Sequence, residues 1–168
     1  MPGAVLYVSG DGFDPDDVLS SLSLRPYRVW RCGEPVAVTG PRVGRVYESG
    51  GFCCEVSAAD GLLADEAANA LSFLTEHRSA LASLRYHPAV EDVRIDFGHY
   101  SRIDDGRVVV QCDYLSPELL RLAGELGVGF ELSLYPAPRP KTPNQALQQT
   151  GAARRVSQMC SLLSGPGC

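Results

Sequence analysis

Hydrophobic residues alternate with polar ones in some stretches of this chain, as in strands, and recur every three to four residues in others, as in helices. Residues 4–8 form an apolar, β-branched run that predicts a first strand. A second strand is predicted over 27–32. Residues 45–48 and 52–56 have strand composition and flank a Ser-Gly-Gly sequence, which predicts a β-hairpin.

Apolar and polar residues also alternate in the last third of residues 1–136. A strand containing Val93, Ile95 and Phe97 precedes a turn at 104–106, and a second alternating stretch follows, so we predict another β-hairpin. A final strand closes the pattern, with its apolar side predicted to face the core. The inward-facing residues predicted for these two later strands are Val108, Val110, Cys112 and Tyr114, then Phe130, Leu132 and Leu134.

Two helix starts, about a hundred residues apart, share one order of residues. Asp14 and Ser116 each supply a capping oxygen, a proline follows at the first helical position, and acidic residues occupy the first turn. Helices are therefore predicted from Pro15 to about Leu22 and over 117–126. Between them, an apolar stripe over 63–84 predicts a helix of about six turns. A break near 76–79, giving two shorter helices, fits this stripe almost as well.

These elements predict an α+β fold, a two-layer sandwich whose mainly antiparallel sheet carries helices on one face. After Tyr135 the composition becomes rich in Pro, Gln and Ser. We therefore predict a single domain over 1–136 and a disordered tail over 137–168. Within the tail, residues 142–152 resemble a translated repeat found at the ends of unrelated bacterial proteins.

Charge is distributed unevenly between these two parts. Residues 1–136 contain 11 arginines, no lysine and 20 acidic residues, a net charge of −9, whereas the tail contains four basic residues and no acid. Because phosphate binding depends on clustered positive charge, the acidic body argues against a nucleic-acid partner and permits a basic protein partner. The sequence shows no secretion signal and no membrane-length apolar run, so we expect a cytoplasmic protein without membrane association.

Few residues suggest chemistry. The six cysteines show no C-x-x-C spacing, and no metal, phosphate or nucleophile motif occurs, so we predict no catalytic residue, metal ligand or cofactor. His99 continues the inward side of its strand, and with Asp96 and Arg102 nearby it could form a ligand or catalytic pocket. Trp30, beside Arg31, could anchor a binding surface, or it could lie in the core while Val29 faces outward.

Several motifs, taken in order, resemble the bacterial family called domain of unknown function 4279. The resemblance covers nearly all of 1–136, and the chain departs from it at Leu22-Ser23, Tyr27 and Tyr47. Because the family has no assigned activity, the resemblance implies a fold and transfers no functional residue. The motifs are Asp14-Pro15-Asp16-Asp17-Val18, Leu22-x-Leu24-x-Pro26, Gly33-Glu34-Pro35, the leucine-rich central helix, Ser116-Pro117-Glu118-Leu119-Leu120 and Leu132-Ser133-Leu134-Tyr135.

Two functional hypotheses follow. The first is a non-enzymatic binding protein for a basic protein partner, of which an immunity protein against a basic toxin is a specific form. The alternative is a ligand-binding or enzymatic domain with a pocket near His99, Asp96 and Arg102. The sequence does not determine the oligomeric state.

Overall fold

A computed structural model describes residues 3–58, 62–103 and 110–136. The chain divides into two compact units, 1–136 and 137–168, and the predicted tail lies outside the described residues. None of the described helices is long and apolar enough to cross a lipid bilayer. The elements of the first unit are β1 (Ala4–Gly10), α1 (Pro15–Ser21), β2 (Arg28–Trp30), β3 (Gly50–Ser57), α2 (Leu63–Glu76), α3 (Arg78–Arg85), β4 (Asp92–Tyr100), α4 (Pro117–Leu126) and β5 (Gly129–Tyr135).

The strands form one sheet in the order β2-β3-β1-β4-β5. The β2–β3, β3–β1 and β1–β4 pairs are antiparallel, whereas β5 runs parallel to β4. The parallel pair arises because α4 connects β4 to β5 as a crossover, which returns the chain in the same direction. The predicted α+β class and mainly antiparallel sheet are therefore confirmed.

The helix boundaries follow the capping residues. Asp14 Oδ1 accepts a hydrogen bond from the backbone N–H of Asp16 at 3.0 Å, and Ser116 Oγ accepts one from the N–H of Leu119 at 3.2 Å. The central stripe is interrupted at His77, where α2 ends and α3 begins, so the interpretation as two shorter helices is correct.

Strand alternation places one side of the sheet against all four helices. Leu6 of β1 lies opposite Cys54 of β3 and Ile95 of β4, and all three are buried. Each helix packs apolar residues against this side of the sheet, so a single hydrophobic core lies between the sheet and the helices. Its strand residues include Ala4, Leu6, Val8, Phe52, Cys54, Ile95 and Phe97, and its helix residues include Val18, Ala70, Leu74, Leu81, Leu84, Leu119, Leu122 and Leu126.

The hairpin predicted from 45–48 and 52–56 is wrong. Gly50 and Gly51 do not form a turn but begin β3, where they pair with Gly10 and Ser9. Residues 45–48 instead pair with 33–36, since the N–H of Tyr47 donates to the Glu34 carbonyl at 2.9 Å.

The second predicted hairpin is also wrong. Strand β4 already pairs with β1 on one side and β5 on the other, so it has no free edge for residues 108–114. The turn at 104–106 and Val108 lie outside the described residues. The predicted inward side is exposed at Val110 (65%), Tyr114 (74%) and Cys112.

The predicted core side of the last strand is only partly correct. Phe130 is half-buried and packs edge-on against Phe97, with ring centroids 5.4 Å apart. Leu132 and Leu134, however, are 50% and 58% exposed. These two leucines stay exposed because β5 is the edge strand of the described sheet, whereas α2 packs over β3 and β4.

Candidate functional site

The side of the sheet opposite the helices is covered by no described helix, and we call it the open face. Successive side chains of a strand point to opposite sides of the sheet, and the register of the strands places every second side chain on the open face. This set mixes aromatic, basic and acidic residues, in contrast to the apolar helix side. The open face includes Arg28 and Trp30 of β2, Cys53 and Glu55 of β3, Val5 and Tyr7 of β1, Asp92, Arg94 and Asp96 of β4, and Glu131 and Tyr135 of β5.

An aromatic and arginine cluster occupies the β2 end of the open face. Trp30 stacks on Tyr47 with ring centroids 5.7 Å apart, and Arg28 Cζ lies 5.8 Å and 5.7 Å from the two ring centroids. Arg28 also donates a hydrogen bond to the Tyr47 hydroxyl. Gly51 makes this arrangement possible, because a Cβ there would lie 2.2 Å from the Trp30 ring. Arg28 forms no ion pair within the described residues.

A second cluster lies at the centre of the open face. The Arg94 guanidinium carbon lies 5.2 Å from the centroid of the Tyr7 ring, and its Nε donates to Glu131 Oε2 at 2.7 Å. Arg94 also pairs with Asp92. Asp96 is different, because its Oδ1 is buried and accepts no hydrogen bond from any described residue. Within the part of the chain that the structure describes, this carboxylate oxygen is therefore unsatisfied.

Burial keeps several groups of the sheet neutral. It raises the pKa of Tyr7, and the nearby Cys53 and Asp96 raise it further while Arg94 lowers it. Burial also raises the pKa of the Cys53 thiol to about 11 and that of Cys54 to about 12. At neutral pH, Tyr7 therefore presents a hydroxyl rather than an anion.

This burial predicts a pattern of thiol reactivity. The thiolate is the reactive form of cysteine, so Cys53 and Cys54 should resist iodoacetamide at about pH 8 while the exposed Cys32 and Cys112 are alkylated. Peptide mapping by mass spectrometry measures each site separately. Urea-unfolded protein is the control, in which all four sites should react, and alkylation of Cys53 or Cys54 in the folded protein at the rate of Cys32 would contradict the prediction.

Trp30 and Arg31, the two neighbouring residues predicted to bind a partner, have different surroundings in the structure. Trp30 lies on the open face, while Val29 packs against the core. Arg31 instead forms ion pairs within the chain, with Nη2 2.6 Å from Asp16 Oδ2 and Nη1 3.1 Å from Glu34 Oε1. It therefore ties α1 to the loop that follows β2.

The pocket predicted near His99, Asp96 and Arg102 is not assembled in that form. His99 lies on the helix side of β4 and Asp96 on the open face, because residues three apart on a strand point to opposite sides. The carboxylate beside His99 is Asp113, with Oδ2 3.5 Å from His99 Nε2, and its Oδ1 lies 2.8 Å from Arg102 Nη2. Sequence reasoning missed Asp113 because its segment was predicted to be a strand with Asp113 facing outward.

The surroundings of His99 indicate a structural role. Its ring is 3% exposed, Nδ1 lies 3.4 Å from the Phe97 carbonyl, and Nε2 lies 3.2 Å from Gln111 Nε2. Both ring nitrogens therefore face groups of the same chain. Through Gln111 and Asp113, His99 joins the segment before α4 to the end of β4.

A cavity of about 320 Å³ lies between β3 and the end of α2. It combines an arginine with two glutamates, but no other observation singles out a ligand for it. Across residues 3–58, 62–103 and 110–136, no three His, Cys, Asp or Glu residues gather in a group that could hold a metal ion. The cavity is lined by Ser23, Leu24, Arg25, Cys54, Glu55, Phe73, Glu76 and His77.

The fold and this surface define a small α+β sandwich with one helical layer and one open sheet face. Residues 3–137 match the family model described as Domain of unknown function (DUF4279), and the chain belongs to that family. The match confirms the resemblance indicated by the order of the capping and strand motifs. No curated protein and no solved structure matches the chain.

Proposed function

We propose that this protein acts by binding a basic protein partner through its open face. The observation that carries the proposal is the cluster of Trp30, Tyr47 and Arg28, which stack on one another at the β2 end of that face. Tryptophan, tyrosine and arginine dominate the binding energy of protein interfaces, because they combine a large apolar contact area with a polar group. Packing against Gly51 holds the tryptophan ring in place before a partner arrives.

Charge supports a basic partner. Residues 1–136 carry a net charge of −9, and an acidic surface speeds the association of a basic protein. The open face contributes to this negative charge, because Asp96 forms no ion pair within the described residues. A toxin-neutralising immunity protein is the specific form of this proposal.

The environment of His99 favours binding over catalysis. A general base needs a ring nitrogen that can reach a substrate. Both nitrogens of His99 face groups of the same chain, and the ring is buried. The alternative of an enzymatic pocket at this position therefore has less support.

The proposal predicts that Trp30→Ala weakens partner binding. Proteins retained from a lysate of the native organism by the immobilised wild-type chain would be purified, and the dissociation constant of each would be measured. We expect a basic protein whose dissociation constant rises at least about 30-fold with Trp30→Ala, the effect of losing an interface hot spot.

The matched control is Tyr86→Ala, which removes a 79% exposed aromatic residue at the end of α3, and it should leave the dissociation constant unchanged. Circular dichroism checks that both variants are folded. Equal binding by wild-type and Trp30→Ala chains, or retention of acidic proteins only, would overturn the proposal.

A further inference from the structure

Within the described residues, the outer edge of β5 has backbone groups without a neighbouring strand. Among the described strands, β5 is the last in the sheet order, with β4 on one side and no strand on the other. The Tyr135 carbonyl accepts a hydrogen bond from the N–H of Ser101, directly after β4, at 2.8 Å. Because backbone groups alternate between the two sides of a strand, the N–H and C=O groups of Phe130, Leu132 and Leu134 point away from β4.

This edge lacks the features that usually protect edge strands from pairing. Lysine, proline and β-bulges commonly block such edges, but residues 129–135 contain no lysine or proline, and the β4 pairing shows no bulge. The only charged residue is Glu131, and Arg94 already neutralises it on the open face. Leu132 and Leu134 meanwhile expose 50% and 58% of their surface beside the free backbone groups.

We infer that β5 pairs antiparallel with β5 of a second copy of this chain, about a two-fold axis at Leu132. This register places Leu132 opposite its own copy and Phe130 opposite Leu134. All three residues direct their backbone groups to the shared edge, so each pair exchanges two hydrogen bonds. The apolar side chains then meet on the helix side of the joined sheet.

Charge is compatible with a second copy in this register. Glu131 lies opposite Ser133 of the other chain, so no like charges face each other across the pair. The interface is self-complementary, as a two-fold dimer requires. The two-fold axis is perpendicular to the sheet, so both open faces lie on the same side of the dimer.

Leu132→Lys tests this inference on the full-length chain. Analytical ultracentrifugation of the wild-type protein over a wide concentration range should show a species of twice the 18.0 kDa chain mass. Leu132→Lys places a charge at the two-fold axis and should raise the dimer dissociation constant at least about ten-fold. Leu120→Lys is the matched control, because Leu120 is also 50% exposed but lies on α4, and it should leave the dimer unchanged.

A second variant tests the backbone directly. Leu134→Pro removes an N–H that points away from β4, so it spares the β4 hydrogen bonds and should also dissociate the dimer. A single-chain mass at every wild-type concentration would overturn the inference. A dimer that survives both β5 variants, or one that Leu120→Lys dissociates equally, would also overturn it.

Discussion

Replacing Phe97 with alanine should lower the free energy of unfolding by about 3–5 kcal/mol. Phe97 is fully buried in β4, where it lies opposite Ala4 of β1 and packs edge-on against Phe130. The substitution removes an aromatic side chain from the middle of the sheet and leaves a cavity that neighbouring strands cannot easily close. A loss of this size is a large part of the roughly 5–15 kcal/mol that stabilises a typical domain.

Val110→Ala is the matched control for Phe97→Ala. The hydrophobic pattern places both residues on the inward side of one predicted hairpin, but in the structure Val110 is 65% exposed. Its replacement should change the free energy of unfolding by less than about 0.5 kcal/mol. Urea denaturation followed by circular dichroism measures both variants. Similar losses in the two variants would contradict the structure and favour the predicted hairpin.

Gly50→Ala should destabilise the protein by about 3 kcal/mol, at the upper end of the cost of overpacking. A Cβ on Gly50 would lie 1.9 Å from the carbonyl oxygen of Phe13. The obstacle is backbone just before α1, so it cannot move aside as a flexible side chain could. The substitution must therefore shift either β3 or the start of α1.

The control for Gly50→Ala is the same substitution at Gly124 in α4. A Cβ there meets nothing within 4 Å, and alanine is a better helix former than glycine, so Gly124→Ala should stabilise the protein by up to about 1 kcal/mol. The two variants should thus shift the urea midpoint in opposite directions. A Gly50→Ala variant as stable as the wild-type protein would show that Gly50 belongs to a tolerant turn, as the sequence pattern suggests.

The helix starts were predictable because their determinants are local. Asp14 and Ser116 bond to backbone groups within three residues, so short sequence motifs contain the information needed. The interruption at His77 was also visible as an alternative, because the apolar stripe fitted two short helices as well as one long helix. The membership of the family followed from the order of these same motifs.

Strand pairing was less predictable because it depends on residues distant in sequence. Gly50-Gly51 resembled a turn, and only the close approach of the Phe13 backbone and the Trp30 ring explains the two glycines within a strand. Likewise, the stretch after β4 alternated like a hairpin partner. The edge that it would have used is occupied by β5, which arrives through α4.

The candidate site was likewise predictable only in part from the sequence. Sequence alone proposed Trp30 and Asp96 as binding residues, and both lie on the open face, where Tyr47 from a later segment of the chain stacks on Trp30. It also grouped Asp96 with His99, which strand alternation sets on opposite sides of the sheet. Asp113 was missed because it approaches His99 only after the chain has turned back from β4.

By itself, the sequence determined the fold class, the capped helix starts, the apolar side of β4, and the acidic charge of residues 1–136. These properties depend on composition and on contacts within a few residues. The tertiary structure alone decided which strands are neighbours, which apolar residues stay exposed at β5, and which polar residues share the open face. The physical reason is that burial and edge position depend on the competition of all strands for the same hydrogen-bonding partners.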